Sequence, residues 1–332
     1  MDPDHRLRTS LRLNNDVGVD EFVELARLAE TLGFDQIWLS NDLFFRSAPV
    51  VLAAAATSTS RIALGTCVLN PYSIHPAEIA MAAATLQEVS HGRFLLGIAA
   101  GAEDFLTWAG IDRPAPLRRT REAIVAIREL CAGRRPADVD GSGAGWDRTA
   151  RLHVPAAPTP IYLGAMSPRM LELIGDVADG GLPLLYPPES YRDTIGHIGA
   201  GLDRSGRAPG DVDIAACIWV SVDEDAAAAR RPLAEKLAYF GASFGPGVLA
   251  RVGVDPGSLA ELRGLDLAQA VERLPPEMLT LGVSGTPADV VDRCRGLVAA
   301  GARHVSFGPP LGPDRLRAVR LLGEQVVPAL GD

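Results

Sequence analysis

The chain has 332 residues, 47% of them hydrophobic and 22% charged, a balance of folded globular proteins and too apolar for a disordered chain. Its formal net charge of −9 argues against a nucleic-acid partner, because affinity for phosphate backbones needs basic surface. No apolar run reaches the roughly 18 residues that a bilayer span requires, so no membrane partner is expected.

In chain order, β-rich runs alternate with helical patterns. A strand at 8–13 precedes a helix at 19–32, whose apolar face carries Phe22, Val23, Leu25, Ala26, Leu28 and Ala29 and which Gly33 ends. A strand at 34–39, an Ala-rich helix at 48–58, a strand at 61–68 and a helix at 77–89 follow. Next come a strand at 93–98, a long helix at 116–132, a strand at 160–163 and a helix at 167–177. A strand at 180–185, a helix at 189–204, a strand at 212–220, a helix at 286–300, a strand at 304–307 and a helix at 313–329 complete the pattern. Eight β-then-α units in this length predict an α/β protein of one domain, a (β/α)8 TIM barrel, with a doubly wound open sheet as runner-up. Residues 134–158, rich in Gly and Pro, and 223–285, with extra helices, read as barrel insertions that shape the mouth.

Barrel chemistry sits at the C-terminal ends of the strands. After the second strand, Asn41 and Asp42 are either substrate contacts or an Asx turn. After the third, residues 65–71 run straight into a turn, and His75 either faces a ligand or orients its loop. After the fourth, Glu103 and Asp104 are an acid and a cofactor contact or a charged helix start. After the fifth, Gly164 to Pro168 combine a bare glycine, a capping serine and a helix-opening proline, which make a phosphate site or an ordinary capped helix. Ser90 to Arg93 and His304 fall at strand starts, hence at the barrel bottom, and read as structural.

The four cysteines, Cys67, Cys131, Cys217 and Cys294, lie far apart and form no CxxC; neither a disulfide framework nor a zinc knuckle is expected, and a reducing cytoplasm fits. The histidines form no HxH or HExxH pair, so no metal site is expected. The N-terminal MDPDHRLRTS lacks the apolar core of a signal peptide. The single lysine, Lys236, lies in the polar helical pattern RRPLAEKLAYF, which disfavours Schiff-base chemistry.

Residues 33–38 (GFDQIW), 61–71 (RIALGTCVLNP), His75-Pro76-Ala77 and 85–98 (TLQEVSHGRFLLGI) occur in order and resemble the bacterial luciferase-like superfamily. Residues 160–170 (PIYLGAMSPRM), with Ala178-Asp179-Gly180, resemble its coenzyme F420-dependent branch, of the methylenetetrahydromethanopterin reductase kind. Residues 285–290 and Gly301-Ala302 are similar too; only about 223–280 falls outside. The resemblance implies a barrel with the deazaflavin at its C-terminal mouth and hydride transfer between C5 and a small organic substrate. It implies a bulge at Cys67, Val68 and Leu69, with Asn70 beside it, backing the ring, and a non-proline cis peptide between Cys67 and Val68. It assigns the cofactor phosphate to Gly164, Ala165, Met166, Ser167 and Pro168, and a further contact to Gly101, Ala102 and Glu103. It also implies a homodimer.

Many members carry Asp-His after strand two where this chain has Asn41-Asp42, and Asp where Ala102 stands, so a different substrate, of specialised-metabolite type, is expected. For the proton that accompanies hydride, Glu103 ranks first, as a carboxyl shielded by the ring, followed by Asp42 and His75. Two alternatives stand beside this reading: an FMN-dependent monooxygenase, and a non-catalytic flavin or deazaflavin binder.

Overall fold

The computed structural model describes residues 6–331 apart from 156, 242–243 and 263. Its strands are β1 (Arg8–Leu13), β2 (Gln36–Leu39), β3 (Ala63–Thr66), β4 (Phe94–Ile98), β5 (Ile161–Ala165), β6 (Gly180–Pro183), β7 (Asp213–Val222), β8 (Gly282–Gly285) and β9 (His304–Leu311). Parallel neighbours run β6-β5-β4-β3-β2-β1-β9-β7, and a β6–β7 pairing closes the ring. The eight expected strands therefore form the closed barrel, and the open doubly wound sheet is excluded. The ninth strand, β8, was not expected from its sequence, GVSG, which has little β-propensity. It forms because β7 extends for 10 residues, and its last four, Trp219 to Val222, pair with Gly282 to Gly285.

The helices are α1 (Val19–Thr31), α2 (Ala48–Ala56), α3 (Pro76–Val89), α4 (Glu103–Trp108), α5 (Pro116–Cys131), α6 (Pro168–Val177), α7 (Pro188–Ser205), α8 (Ala226–Gly241), α9 (Pro246–Ala250), α10 (Pro256–Ala260), α11 (Leu267–Glu272), α12 (Pro287–Ala299), α13 (Arg315–Leu321) and α14 (Val327–Gly331). Proline opens many of them, including α3, α5, α6, α7 and α12, where its missing N–H has no partner to lose. The helix expected at 313–329 is interrupted by a π turn at Leu322–Val326, just ahead of Pro328, which brings no N–H to the ladder. No helix among the described residues is long and apolar enough to cross a membrane.

Inside the ring, Trp38 and Tyr162 meet edge to face at 5.0 Å and pack with Leu182, Ala215 and Cys217. Gly65 makes this possible, since a Cβ there would lie 2.1 Å from the Trp38 ring. The N-terminal end of the barrel is polar and holds a hydrogen-bonded network around Asp213. Asp213 accepts from the Tyr162 hydroxyl at 2.8 Å, meets His304 Nδ1 at 3.1 Å and pairs with Arg8 at 3.2 Å. His304 Nε2 bonds Ser10 Oγ at 2.8 Å. Arg93 donates to the carbonyls of Ala56 and Ile62 at 2.9 and 2.8 Å. Both groups are structural, as their place at strand starts implied.

Burial pushes the Asp213 pKa up, but its bonds with His304 and Tyr162 and the Arg8 charge outweigh burial and hold it well below its ordinary value. A depressed folded-state pKa contributes stability that is present above the unfolded value and lost as pH falls below it. Asp213→Asn is expected to destabilise the protein by about 3 kcal/mol at neutral pH and to flatten its acid dependence. Urea unfolding at neutral pH and near pH 2.5, below the unfolded pKa, checks this; equal losses at both pH values would overturn the acid-linkage claim.

The segment after β7 holds α8 to α11, whose Leu233, Leu237, Val248 and Leu259, with Met278 from the 3-10 turn at Pro276–Leu281, form a second apolar cluster on Leu185 and Trp219 at the barrel mouth. The excursion before β5 contributes Trp146, whose indole donates to Ser142 O at 3.0 Å.

Candidate active site

The tips of β3, β4 and β5 converge. Thr66 Oγ1 donates to Gly97 O and accepts from Gly97 N, both at 3.0 Å. The next peptide, Cys67–Val68, is cis, as the resemblance implied. Leu69 then rejoins the ladder: its N–H bonds Gly97 O at 2.9 Å, and its carbonyl accepts from Ala99 N at 3.0 Å. Cys67 and Val68 are left half-buried against the Trp38–Tyr162 cluster. Burial pushes the Cys67 thiol up to about 12, so it is no nucleophile. Gly164, on β5, fits against this bulge; a Cβ there would lie 3.2 Å from both Val68 Cγ1 and Ala99 Cβ.

Asn70 is buried, and its Oδ1 accepts from the amides of Tyr72 and Ser73 at 3.1 and 2.9 Å; it holds the turn after β3. Gly101 has φ +78°, and a Cβ on it would press on Asn70 at 3.0 Å. Ala102 sits at the N-cap of α4.

In the β5 loop, Ala165 is buried and Met166 half-buried. Ser167 is the N-cap of α6 but makes no side-chain cap bond, and Pro168 opens the helix. The α6 amides and the serine hydroxyl are thus uncommitted to each other. Arg251, from the insertion, donates to the Met166 carbonyl and, at 3.0 Å, to that of Leu185, with its guanidinium 3.5 Å over the Tyr186 ring. The Tyr186 hydroxyl is buried without a partner among the described residues.

A cavity of about 790 Å³ lies between the ends of β1, β2 and β9 and helix α8, with Asp42, Phe45, Phe105, Lys236 and Phe240 in its wall. Of the residues singled out from sequence as site candidates, Asp42 alone lines it. Burial raises the Asp42 pKa, and the Ser40 hydrogen bond and Lys236 charge only partly oppose this. Asn41 serves its own loop: its Oδ1 accepts from Ala48 N at 2.9 Å.

Two candidates lie elsewhere. Glu103, in the first turn of α4, is 72% exposed and bonded to Arg113 at 2.6 Å, outside the lining of this cavity. His75 caps α3 by accepting from Ala77 N at 3.2 Å and packs, tilted by 59°, against Trp146 with ring centres 5.4 Å apart, so it orients a loop. Glu103→Gln is accordingly expected to leave turnover within about threefold of wild type; a hundredfold loss with coenzyme binding intact would return the acid role to it.

Lys236 was missed. Its helix looks polar in sequence, yet its Nζ lies 4.5 Å from the centre of the Trp219 ring and 4.7 Å from that of Phe240. The available signal was the aromatic residue at i+4 on the same helix face.

These features agree with known proteins. The chain matches the luciferase-like monooxygenase family over residues 6–304. It is 34% identical over 308 residues to the 5,10-methylenetetrahydromethanopterin reductase of Methanolobus tindarius, covering 91% of this chain and 94% of that enzyme. It is 32% identical over 330 residues to an F420-dependent glucose-6-phosphate dehydrogenase of Nakamurella multipartita, covering 94% and 93%. The coenzyme F420-dependent tetrahydromethanopterin reductase structure from Methanopyrus kandleri superposes with a TM-score of 0.89 at 27% identity, covering 98% of this chain and 99% of that one. Barrel, bulge and sequence together make the chain a member of the luciferase-like monooxygenase family.

Proposed function

We propose that the protein is a coenzyme F420-dependent oxidoreductase that moves a hydride between the deazaflavin and a small organic substrate held beside Asp42. The observation that carries this is the meeting of Val68, Ala99 and the bare Gly164 at the β3–β5 tips; the same end of the barrel, after β2, holds a cavity large enough for an organic substrate. The residues fit the coenzyme. Cys67 and Val68 offer an apolar floor, Gly101 and Gly164 leave its edges free of side chains, and the uncapped start of α6 offers amides to a phosphate. Oriented amides also let a chain of net charge −9 hold an anionic group. When bound, F420 supplies a two-electron hydride donor or acceptor. The chain's part is to hold the ring, orient the substrate and manage the accompanying proton.

Titration of the apo-protein with F420, FMN and FAD tests the reading, with F420 expected to bind at least tenfold tighter than either flavin. The family's description as monooxygenases supports a second reading, FMN-dependent oxygenation, which tighter FMN binding would select. Tight F420 binding without hydride exchange with any acceptor would favour a non-catalytic binder.

A homodimer completes the proposal. Val50 on α2 and Met81 on α3 are 68% and 56% exposed, an apolar face suited to a second copy, and sedimentation velocity reads the outcome. The four cysteines are free, which suits a cytoplasmic location.

A further inference from the structure

Lys236 is the only lysine in the chain and stands in the wall of the cavity. The other charges there are engaged. Arg315 pairs with Glu21 at 2.9 Å and Asp16 at 3.6 Å, Glu235 pairs with Arg231 at 2.8 Å, and Asp314 caps α13. Below them, Arg12 donates to Ile218 O at 2.7 Å and Ser306 Oγ at 3.1 Å. Lys236 and Asp42 remain, both in the cavity wall and each within reach of the other's charge, neither in an ion pair among the described residues. We propose that Lys236 is the proton-exchanging group of this cavity: its Nζ gives a proton to the substrate's oxygen or nitrogen when the adjoining carbon is reduced and takes it when that carbon is oxidised, with Asp42 as its charge partner.

This rests on the oxidoreductase reading above. In the reducing direction an N–H bond of the ammonium breaks and an O–H or N–H bond forms on the substrate, while the adjoining carbon gains the hydride that reduced F420 supplies. The free amine then takes its proton back from water. The surroundings suit the task. Trp219 and Phe240 hold the ammonium by cation–π contact. Burial lowers the Lys236 pKa from 10.5 to about 8; the charges of Asp42 and Asp16 oppose the fall, while Arg12 and Arg315 add to it. An acid–base group works best with a pKa near the working pH. Asp42, itself raised by burial, is the less suitable donor at neutral pH because its proton-bound form is a carboxylic acid beside an ammonium.

A lone lysine makes the test direct, because protein labelled with [ε-13C]lysine gives a single side-chain Cε signal. Its pH titration is expected to have a midpoint near 8; a midpoint at the ordinary lysine value overturns the proposal. Asp42→Asn is expected to lower the midpoint, and an unchanged or raised one removes Asp42 as partner. Acetate and inorganic phosphate at millimolar concentration are expected to leave it in place; a rise of about one pH unit would make Lys236 an anion anchor instead. On the substrate that F420 turnover identifies, Lys236→Met and Lys236→Arg are each expected to lower kcat at least about a hundredfold with F420 affinity unchanged. A kcat within about threefold of wild type in either variant overturns the proton role. Failure of F420 to bind removes the oxidoreductase reading while leaving the lysine titration intact, so the two fail separately.

Discussion

Gly97→Ala is expected to reduce the unfolding free energy by about 3 kcal/mol. A Cβ on Gly97 would lie 1.8 Å from the Thr66 carbonyl oxygen and 3.0 Å from its carbon. Both are backbone atoms, so no rotamer change relieves the clash, and β3 must move from β4. The two Thr66 Oγ1 bonds to Gly97 and the Leu69 N–Gly97 O bond are lost with that movement. Overpacking a core typically costs about 1–3 kcal/mol, and a contact with fixed main chain belongs at the top of that range. The expectation is distinctive because Gly→Ala at an unstrained position normally stabilises, by about 0.4–1 kcal/mol, through the unfolded chain. Gly97 has no positive φ to complicate the comparison. Urea denaturation checks it; a loss below about 1 kcal/mol would mean that the β3–β4 seam yields far more readily than its geometry implies. Because Leu69 rejoins the ladder through Gly97, coenzyme binding is expected to weaken in the same variant.

Gly164→Val is expected to weaken F420 binding more than tenfold, a loss above about 1.4 kcal/mol, in a protein that still folds. At this position the added Cβ meets Val68 Cγ1 and Ala99 Cβ, each at 3.2 Å. Those are side-chain methyl groups, which give by a few tenths of an ångström, so Gly164→Ala is expected to be mild. Valine adds two further methyl groups against the Cys67–Val68 bulge and fills the edge left open for the ring. Its β-propensity suits a strand residue, which keeps the fold from being the casualty. Circular dichroism and F420 titration on the same sample separate the two effects. Unchanged affinity in a folded Gly164→Val protein would move the coenzyme away from the β5 tip.

The alternation of strand and helix was legible in the chain because each unit carries its own periodicity: a 3.6-residue apolar face on α1, and short strands bounded by Gly33 or Gly92. Prolines marked the starts of α3, α6 and α12. The third-strand bulge was legible through the resemblance of residues 61–71, and the cis Cys67–Val68 peptide was found where that resemblance placed it. His75 and Asn41 were ambiguous in sequence, since a polar residue after a strand serves a ligand or its own turn equally well; the structure commits their side chains to backbone amides, as it does the Oδ1 of Asn70, which the resemblance placed beside the ring. Glu103 is a related case. Its position after β4 is readable, but the direction of its side chain depends on α4 and on Arg113. Lys236 was undervalued because α8 follows β7 through an insertion with no repeat to compare. Only the closed ring brings the β2 tip and α8 together around one cavity. Local sequence determines which face of an element is apolar, whereas the charges that share a desolvated space are set by contacts between elements distant in the chain, and these only the tertiary structure decides.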